Sequence, residues 1–221
     1  MWLNVSRFSL YRGFPLWLFL GHQALCEEAK ILHRDISQNN IMVRRDKYGQ
    51  ISGIIIDFDL AIVTDRSSVL SRGNSSYEIT GTLPFMAIDR LTGDDKLHRP
   101  RHDLESFFWL IVLFTSRHHE GKAVDNPLFQ DWYRYDAELL AKTKALFLLG
   151  VVDHHRPTPH FKPLLRAWVH PLGRAFGLGI LARDDIHLAT EAVQKAYSYE
   201  TLGGSITHEK LLAILKTEIP V

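Results

Sequence analysis

Apolar and polar positions follow three rhythms along this chain. From Pro15 onward apolar residues recur at helical spacing, with Leu18, Leu25 and Leu32 seven apart, so a helix is expected to begin at Pro15. Ile41-Met42-Val43 and the run from Ile51 to Ile56 are short and rich in β-branched residues. The turn-forming Asp46-Lys47-Tyr48-Gly49 separates them, which predicts a hairpin. Leu104 to Phe114 is apolar on nearly every face, the mark of a helix buried all round. Asp103, shortly after Pro100, is placed to cap it. Further on, Asp136 to Leu149 reads as a helix with Asp136 as cap and Gly150 as stop. Pro157, Pro159 and Pro163 predict an extended connection. Asp185 to Tyr197 and His208 to Lys216 predict two more helices.

Two segments carry no such rhythm. Residues 1–13 read as an irregular N-terminal segment, ahead of a single domain over 14–221. Ile62 to Thr80 is polar, with Ser67, Ser68, Ser71, Ser75, Ser76 and Tyr77, and reads as a loop. Gly177-Leu178-Gly179-Ile180-Leu181-Ala182 fits a dinucleotide-type glycine pattern in form only. No strand precedes it, and an interhelical turn is the expectation there.

Composition narrows the classes. At 221 residues and 46% hydrophobic content, one domain with a sizeable core is expected. A net charge of +1 gives no argument for nucleic acid as a partner. Cys26 stands alone, which rules out an internal disulfide and favours an intracellular setting, cytoplasmic or nuclear. The apolar run Phe14 to Leu20 is too short to span a bilayer, so no membrane is expected. It contains Pro15 and Trp17 and no clear cleavage site, so a helix is preferred to a signal sequence. Among the twelve histidines, His118-His119 and His154-His155 are adjacent pairs. His98 and His102 flank Pro100, which argues against a helix between them, so no zinc site is expected from these.

The chemistry concentrates in His33-Arg34-Asp35-Ile36-Ser37-Gln38-Asn39-Asn40, followed by Asp57-Phe58. Phosphoryl transfer needs positioning and charge cancellation more than covalent chemistry. A carboxylate such as Asp35 can orient an acceptor hydroxyl and take its proton. Mg²⁺ needs one or two hard oxygen ligands besides phosphate and water, and Asn40 and Asp57 fit. The predicted hairpin would bring these two together at its open end.

At these residues the chain resembles the fungal-type protein kinase family, specifically the C-terminal lobe of the protein kinase fold. "ILHRDIS.NNIMV", "IIIDFDLA", "GTLPFMAIDRL" and "HDLESFFW" look like that family's blocks. The resemblance implies a mainly α fold with a small β-hairpin around the catalytic and metal loops. It implies a Ser/Thr protein kinase that uses ATP and Mg²⁺ on a protein substrate. Asp35 would be the catalytic base and Arg34 the partner of a phosphorylated or acidic group on the activation segment. Asn40 and Asp57 would hold metal, and Met42 would lie beneath the adenine. His33 and Phe58 would stack, and Asp103 would hold the catalytic-loop backbone. Gly81-Thr82 would belong to the substrate-receiving loop, with Thr82 favouring Ser/Thr specificity. In that reading Ile62 to Thr80 is the activation segment, where a phosphate could pair with Arg34; a plain surface loop is the alternative, and serine content does not choose between them. A weaker echo continues through Trp132, Ala141 and Lys142 to Tyr199-Glu200-Thr201-Leu202.

The chain departs from the general kinase pattern at three positions. Ser37 stands where Ser/Thr kinases carry a lysine, Asp59 where the metal loop carries glycine, and Asp89 where the segment-closing motif carries glutamate. Asp59 is expected to tolerate the left-handed backbone of that turn. Before His33 no glycine-rich loop can be drawn, and the only lysine is Lys30. The resemblance therefore implies a C-lobe without its N-lobe. The alternative function is that of a catalytically incomplete fragment, a pseudokinase or protein-binding scaffold. A small-molecule phosphotransferase would share Asp35, Asn40 and Asp57 but is disfavoured by Thr82 and Phe85-Met86-Ala87.

Overall fold

The computed structural model describes residues 2–4, 14–48, 51–64, 80–95, 97–150 and 156–217. The loop serines and Tyr77, His154-His155 and Gly49 lie outside them.

The helix expected at Pro15 forms as α1 (Phe14–Glu27). It turns Leu18 and Phe19 into the core, where the Phe19 ring lies 5.0 Å from that of Phe107. The chain then runs through β2 (Ile31–Leu32) and residues 33–40 into the predicted hairpin, β3 (Ile41–Arg45) and β4 (Ile51–Ile55). Ile41 faces Ile55 and Val43 faces Gly53 across the antiparallel pair. Ile41 and Val43 are buried and Met42 between them is half-buried, as side-chain alternation along a strand requires. The segment expected to be irregular contributes a third strand, β1 (Trp2–Asn4), with Leu3 opposite Val43. The outer edge of β3 offers it a row of backbone groups to pair with, which side-chain patterning in a three-residue piece could not disclose. A second ribbon pairs β2 with β5 (Ile62–Val63), Leu32 opposite Ile62.

The helical part is built around α3 (Pro100–Arg117), in which Phe108, Trp109 and Val112 are wholly buried. Asp103 is not its cap. The helix starts one turn earlier, at Pro100, whose fixed φ suits a first helical position, and the His102 ring accepts the Arg99 backbone N–H at 3.1 Å. The short α2 (Ile88–Thr92) precedes it. A two-residue ribbon, β6 (His118–His119) with β7 (Lys122–Ala123), follows. Next comes α4 (Ala137–Leu148), where Asp136 accepts the Leu139 N–H at 2.8 Å and Gly150 takes a φ of 70°. The three prolines do not hold an extended connection. Pro159–Phe161 is a 3-10 turn leading into α5 (Lys162–Leu164), because proline is tolerated in the first turn of a helix. A π-helical turn, Leu165–Val169, joins α5 to α6 (His170–Asp185).

The expected turn at Gly177 to Ala182 is the interior of α6, and its glycines serve packing. A Cβ on Gly177 would lie 2.6 Å from the Leu148 carbonyl oxygen, and one on Gly179 3.0 Å from Leu202. Small residues let the elements approach that closely. Gly177→Ala is expected to cost about 1–3 kcal/mol of stability, through overpacking against backbone, measured as a lowered urea midpoint. The helix expected from Asp185 to Tyr197 is also shorter. Asp185 ends α6, Ile186–Leu188 is a 3-10 turn, and α7 is Glu191–Ala196. The last helix, α8 (His208–Leu215), is capped by Thr207, which accepts the Lys210 N–H at 3.2 Å.

Candidate active site

The hairpin does what its sequence predicted. Ile56 N–H donates to the Asn40 carbonyl at 2.9 Å, so Asp57 begins where Asn40 ends. Asp57 is exposed with φ 64°, and its Oδ1 accepts the Asp59 N–H at 3.3 Å. The left-handed residue of this turn is therefore Asp57 and not Asp59 as expected. The side chain that closes the turn on itself takes the strained conformation. Arg34 also has positive φ, 73°, so two strained residues flank the constellation. Strain of this kind persists only where the surroundings over-determine it, and it clusters at functional sites.

Asp35 is the centre. Its Oδ1 accepts from the Thr82 backbone N–H at 2.9 Å and the Thr82 hydroxyl at 2.8 Å. Its Oδ2 accepts from Asn40 Nδ2 at 2.8 Å, and the same nitrogen donates to the Asp35 carbonyl at 2.9 Å. Three donors thus fix one carboxylate, and Thr82 comes to it across 47 residues. Gly81 makes that approach possible. Its φ is 120°, and a Cβ there would sit 2.9 Å from the Arg34 carbonyl oxygen. With Nδ2 engaged on Asp35, Asn40 keeps Oδ1 as the atom for a metal. Asn40 Oδ1 and the Asp57 carboxylate are hard oxygens at adjoining strand ends, a donor set that suits Mg²⁺.

Arg34 is buried beside Asp35 in a small crevice with Thr80, Gly81, Thr82 and Arg90. The residues it was expected to meet lie outside the described part. His33 and Phe58 do meet, ring centroids 4.9 Å apart and near edge-to-face, and His33 Nε2 lies 3.0 Å from the Ile56 carbonyl. Met42 sits on the strand face opposite Ile41 and Val43. Ser37 is buried and Asp59 exposed.

Behind the loop, Asp103 is wholly buried. Its Oδ2 accepts the His33 N–H at 2.9 Å and its Oδ1 the Arg34 N–H at 3.1 Å. His22 and His98 add bonds of 3.1 and 2.7 Å. Burial alone would raise this carboxyl. The charge and hydrogen bonds of His98 and His22 outweigh it and hold the group well below the ordinary aspartate value.

Sequence reading missed two anchors of the stretch from Gly81 to Asp89. Lys144, not the exposed Lys142, is the buried lysine of α4. It donates to the Met86 carbonyl at 2.5 Å and lies over the Trp109 and Trp132 rings. Burial pushes its ammonium down to about 7 and pushes the neighbouring Glu105 up. Glu105 in turn accepts the Ile88 N–H and the Trp109 indole N–H. Arg183 of α6 pairs with Asp89, whose Oδ2 also forms an ion pair with Arg101 Nη1 at 2.6 Å. The shorter acid at position 89 therefore still ties the end of this loop to two helices. The i, i+3 position of Lys144 relative to Ala141 was the available signal for the first. Nothing in the sequence marks Arg183.

The later echo is also placed. Trp132 packs on Trp109 at 5.4 Å, and the Tyr199 carbonyl accepts Arg101 Nε at 2.8 Å. A helical lobe on a central buried helix, with a small hairpin delivering an Asp-Asn-Asp constellation beside a threonine loop, is the C-lobe arrangement of protein kinases. Residues 19–115 match the family model described as fungal protein kinase, so this part of the chain is similar to that family. The matched stretch contains Asp35, Asn40, Asp57, Thr82 and Asp103. No curated protein matches the chain. Among the described residues no helix is long and apolar enough to cross a membrane.

Proposed function

We propose that this chain carries the catalytic and metal-binding half of a Ser/Thr-type protein kinase site and uses ATP with Mg²⁺ on a protein hydroxyl. The observation that carries the reading is the Asp35 carboxylate, fixed by Thr82 on one oxygen and Asn40 on the other. A substrate hydroxyl that replaced the Thr82 hydroxyl contact would find Asp35 oriented to accept its proton as its oxygen attacks the γ-phosphorus and the bond to the leaving phosphate breaks. Asn40 Oδ1 and Asp57 would hold Mg²⁺, which when bound offsets phosphate charge. Thr82, lying against the base, would place a peptide serine or threonine. Arg34 would answer a phosphate or acid on the segment that follows Asp57.

Asp57→Ala is expected to abolish Mg²⁺-dependent nucleotide binding, because it removes the only full-charge metal ligand of the set. The measurement is a thermal shift with ATP, with and without Mg²⁺. A shift that survives in the variant rejects the metal assignment.

The second reading is a catalytically incomplete lobe that binds other proteins. Ser37 supports it. It is buried where kinases place a lysine near the γ-phosphate, so that position adds no cation to the site. A folded wild-type chain that shows no Mg²⁺-dependent shift would favour this reading over the enzyme.

A further inference from the structure

The histidines weighed in the sequence omitted one pair with ligand spacing. His22 and Cys26 lie four apart on α1, on one helix face. The first residue of α8, His208, comes to the same place across 186 residues. His22 Nδ1 and His208 Nε2 are 2.9 Å apart, and Cys26 Sγ is 3.8 Å from His22 Nδ1 and 3.6 Å from His22 Nε2. One ligand atom from each of the three lies within 4.8 Å of the others. A tetrahedral zinc, with Zn–N about 2.0–2.1 Å and Zn–S about 2.3 Å, sets two nitrogens roughly 3.3 Å apart and nitrogen and sulfur roughly 3.6 Å apart. The observed separations differ from these by a few tenths of an ångström.

Two further features suit a metal. His22 Nε2 is 3.1 Å from Asp103 Oδ2, the carboxylate support that fixes the ring of a metal-bound histidine. His22 is wholly buried while Cys26 is partly exposed, which leaves an entry path. The other gathering of acids and histidine among the described residues, Asp89, Asp95 and His102, lacks this character. Arg101 and Arg183 already neutralise Asp89, and Arg99 and Arg101 neutralise Asp95.

We propose that His22 Nδ1, Cys26 Sγ and His208 Nε2 form a three-ligand site for a transition-metal cation of the Zn²⁺ class, with water as the fourth ligand. Mixed imidazole and thiolate donors select such a cation over Mg²⁺ or Ca²⁺. Binding releases one proton. The Cys26 thiol gives its proton to solvent, while His208 moves its ring proton from Nε2 to Nδ1. His22 keeps its proton on Nε2, donated to Asp103. The metal would clamp α8 to α1 and brace, through His22, the carboxylate that holds the His33 and Arg34 backbone.

The test uses the untagged full chain and no activity assay, so its outcome is separate from that of the kinase reading. After exchange into zinc and dialysis, elemental analysis is expected to find about one zinc per chain. Co²⁺ is expected to give a thiolate charge-transfer band in the near ultraviolet, and zinc to raise the melting temperature. Cys26→Ser is expected to abolish the band and weaken zinc retention at least tenfold, and His208→Gln to weaken retention similarly. Circular dichroism checks the fold, and Cys26→Ser decides alone if His208→Gln does not fold. A folded wild-type chain without a cobalt–thiolate band, or zinc retention unchanged in Cys26→Ser, overturns the proposal. The three residues would then be a hydrogen-bonded relay only.

Discussion

Asp103→Ala is expected to lower stability by about 3–5 kcal/mol, the cost of removing one member of a buried charged network. The Asp103 side chain accepts from two successive backbone amides, His33 and Arg34, and from two imidazoles. Alanine leaves all four facing a cavity at a position with no solvent access. Each buried donor left without a partner is costly, and the bonds to a charged acceptor are the stronger kind. Arg34 also loses one of the contacts that over-determine its positive φ, so the segment from His33 to Asn40 should relax. Urea denaturation gives the stability loss, and hydrogen exchange at the His33 and Arg34 amides gives the local release. A variant within 1 kcal/mol of wild type, with both amides still protected, would contradict this account. The sign with pH follows from the lowered carboxyl. Its contribution is present above the ordinary aspartate value of 3.8 and is lost as pH falls below it.

Asp35→Asn is expected to reduce phosphoryl transfer by roughly 10²–10⁴-fold, the range for removal of a positioned general base. Mg²⁺-dependent nucleotide binding should remain. The substitution is nearly isosteric but cannot satisfy the site. Asp35 accepts on both oxygens, from Thr82 and from Asn40. An asparagine accepts on one only, so one side meets a donor with a donor. Transfer of labelled γ-phosphate to protein, beside thermal shifts with ATP and Mg²⁺, separates the two effects. Transfer at the wild-type rate in this variant would remove Asp35 from the base role.

Much of this was legible in the chain. The hairpin followed from two β-branched runs about a turn, and its closure paired Asn40 with Ile56, the residue before Asp57, because antiparallel pairing fixes both ends. The burial of α3 followed from its lack of a polar face. The cap at Asp136 followed from residue type and the helix behind it. These are local signals, each contained within a dozen or so residues. The errors share an opposite cause. Gly177 and Gly179 look like a turn because glycine weakens a helix, but here their lost side chains admit Leu148 and Leu202. Asp103 looks like a cap because of its spacing from Pro100, but its partners are the backbone of His33 and Arg34 and the rings of His22 and His98. Trp2 to Asn4 shows no pattern of its own and becomes a strand because the edge of β3 is there to pair with.

The sequence alone marked the candidates for phosphoryl chemistry, since type, order and spacing of Asp35, Asn40 and Asp57 lie within one stretch of chain. Only the tertiary structure decided what holds them. Thr82 reaches Asp35 across 47 residues, Asp103 reaches His33 across 70, and His208 reaches His22 across 186. Contacts of that separation depend on how helices pack. Packing is set by the summed shape of many apolar side chains, and no single residue in the chain announces it.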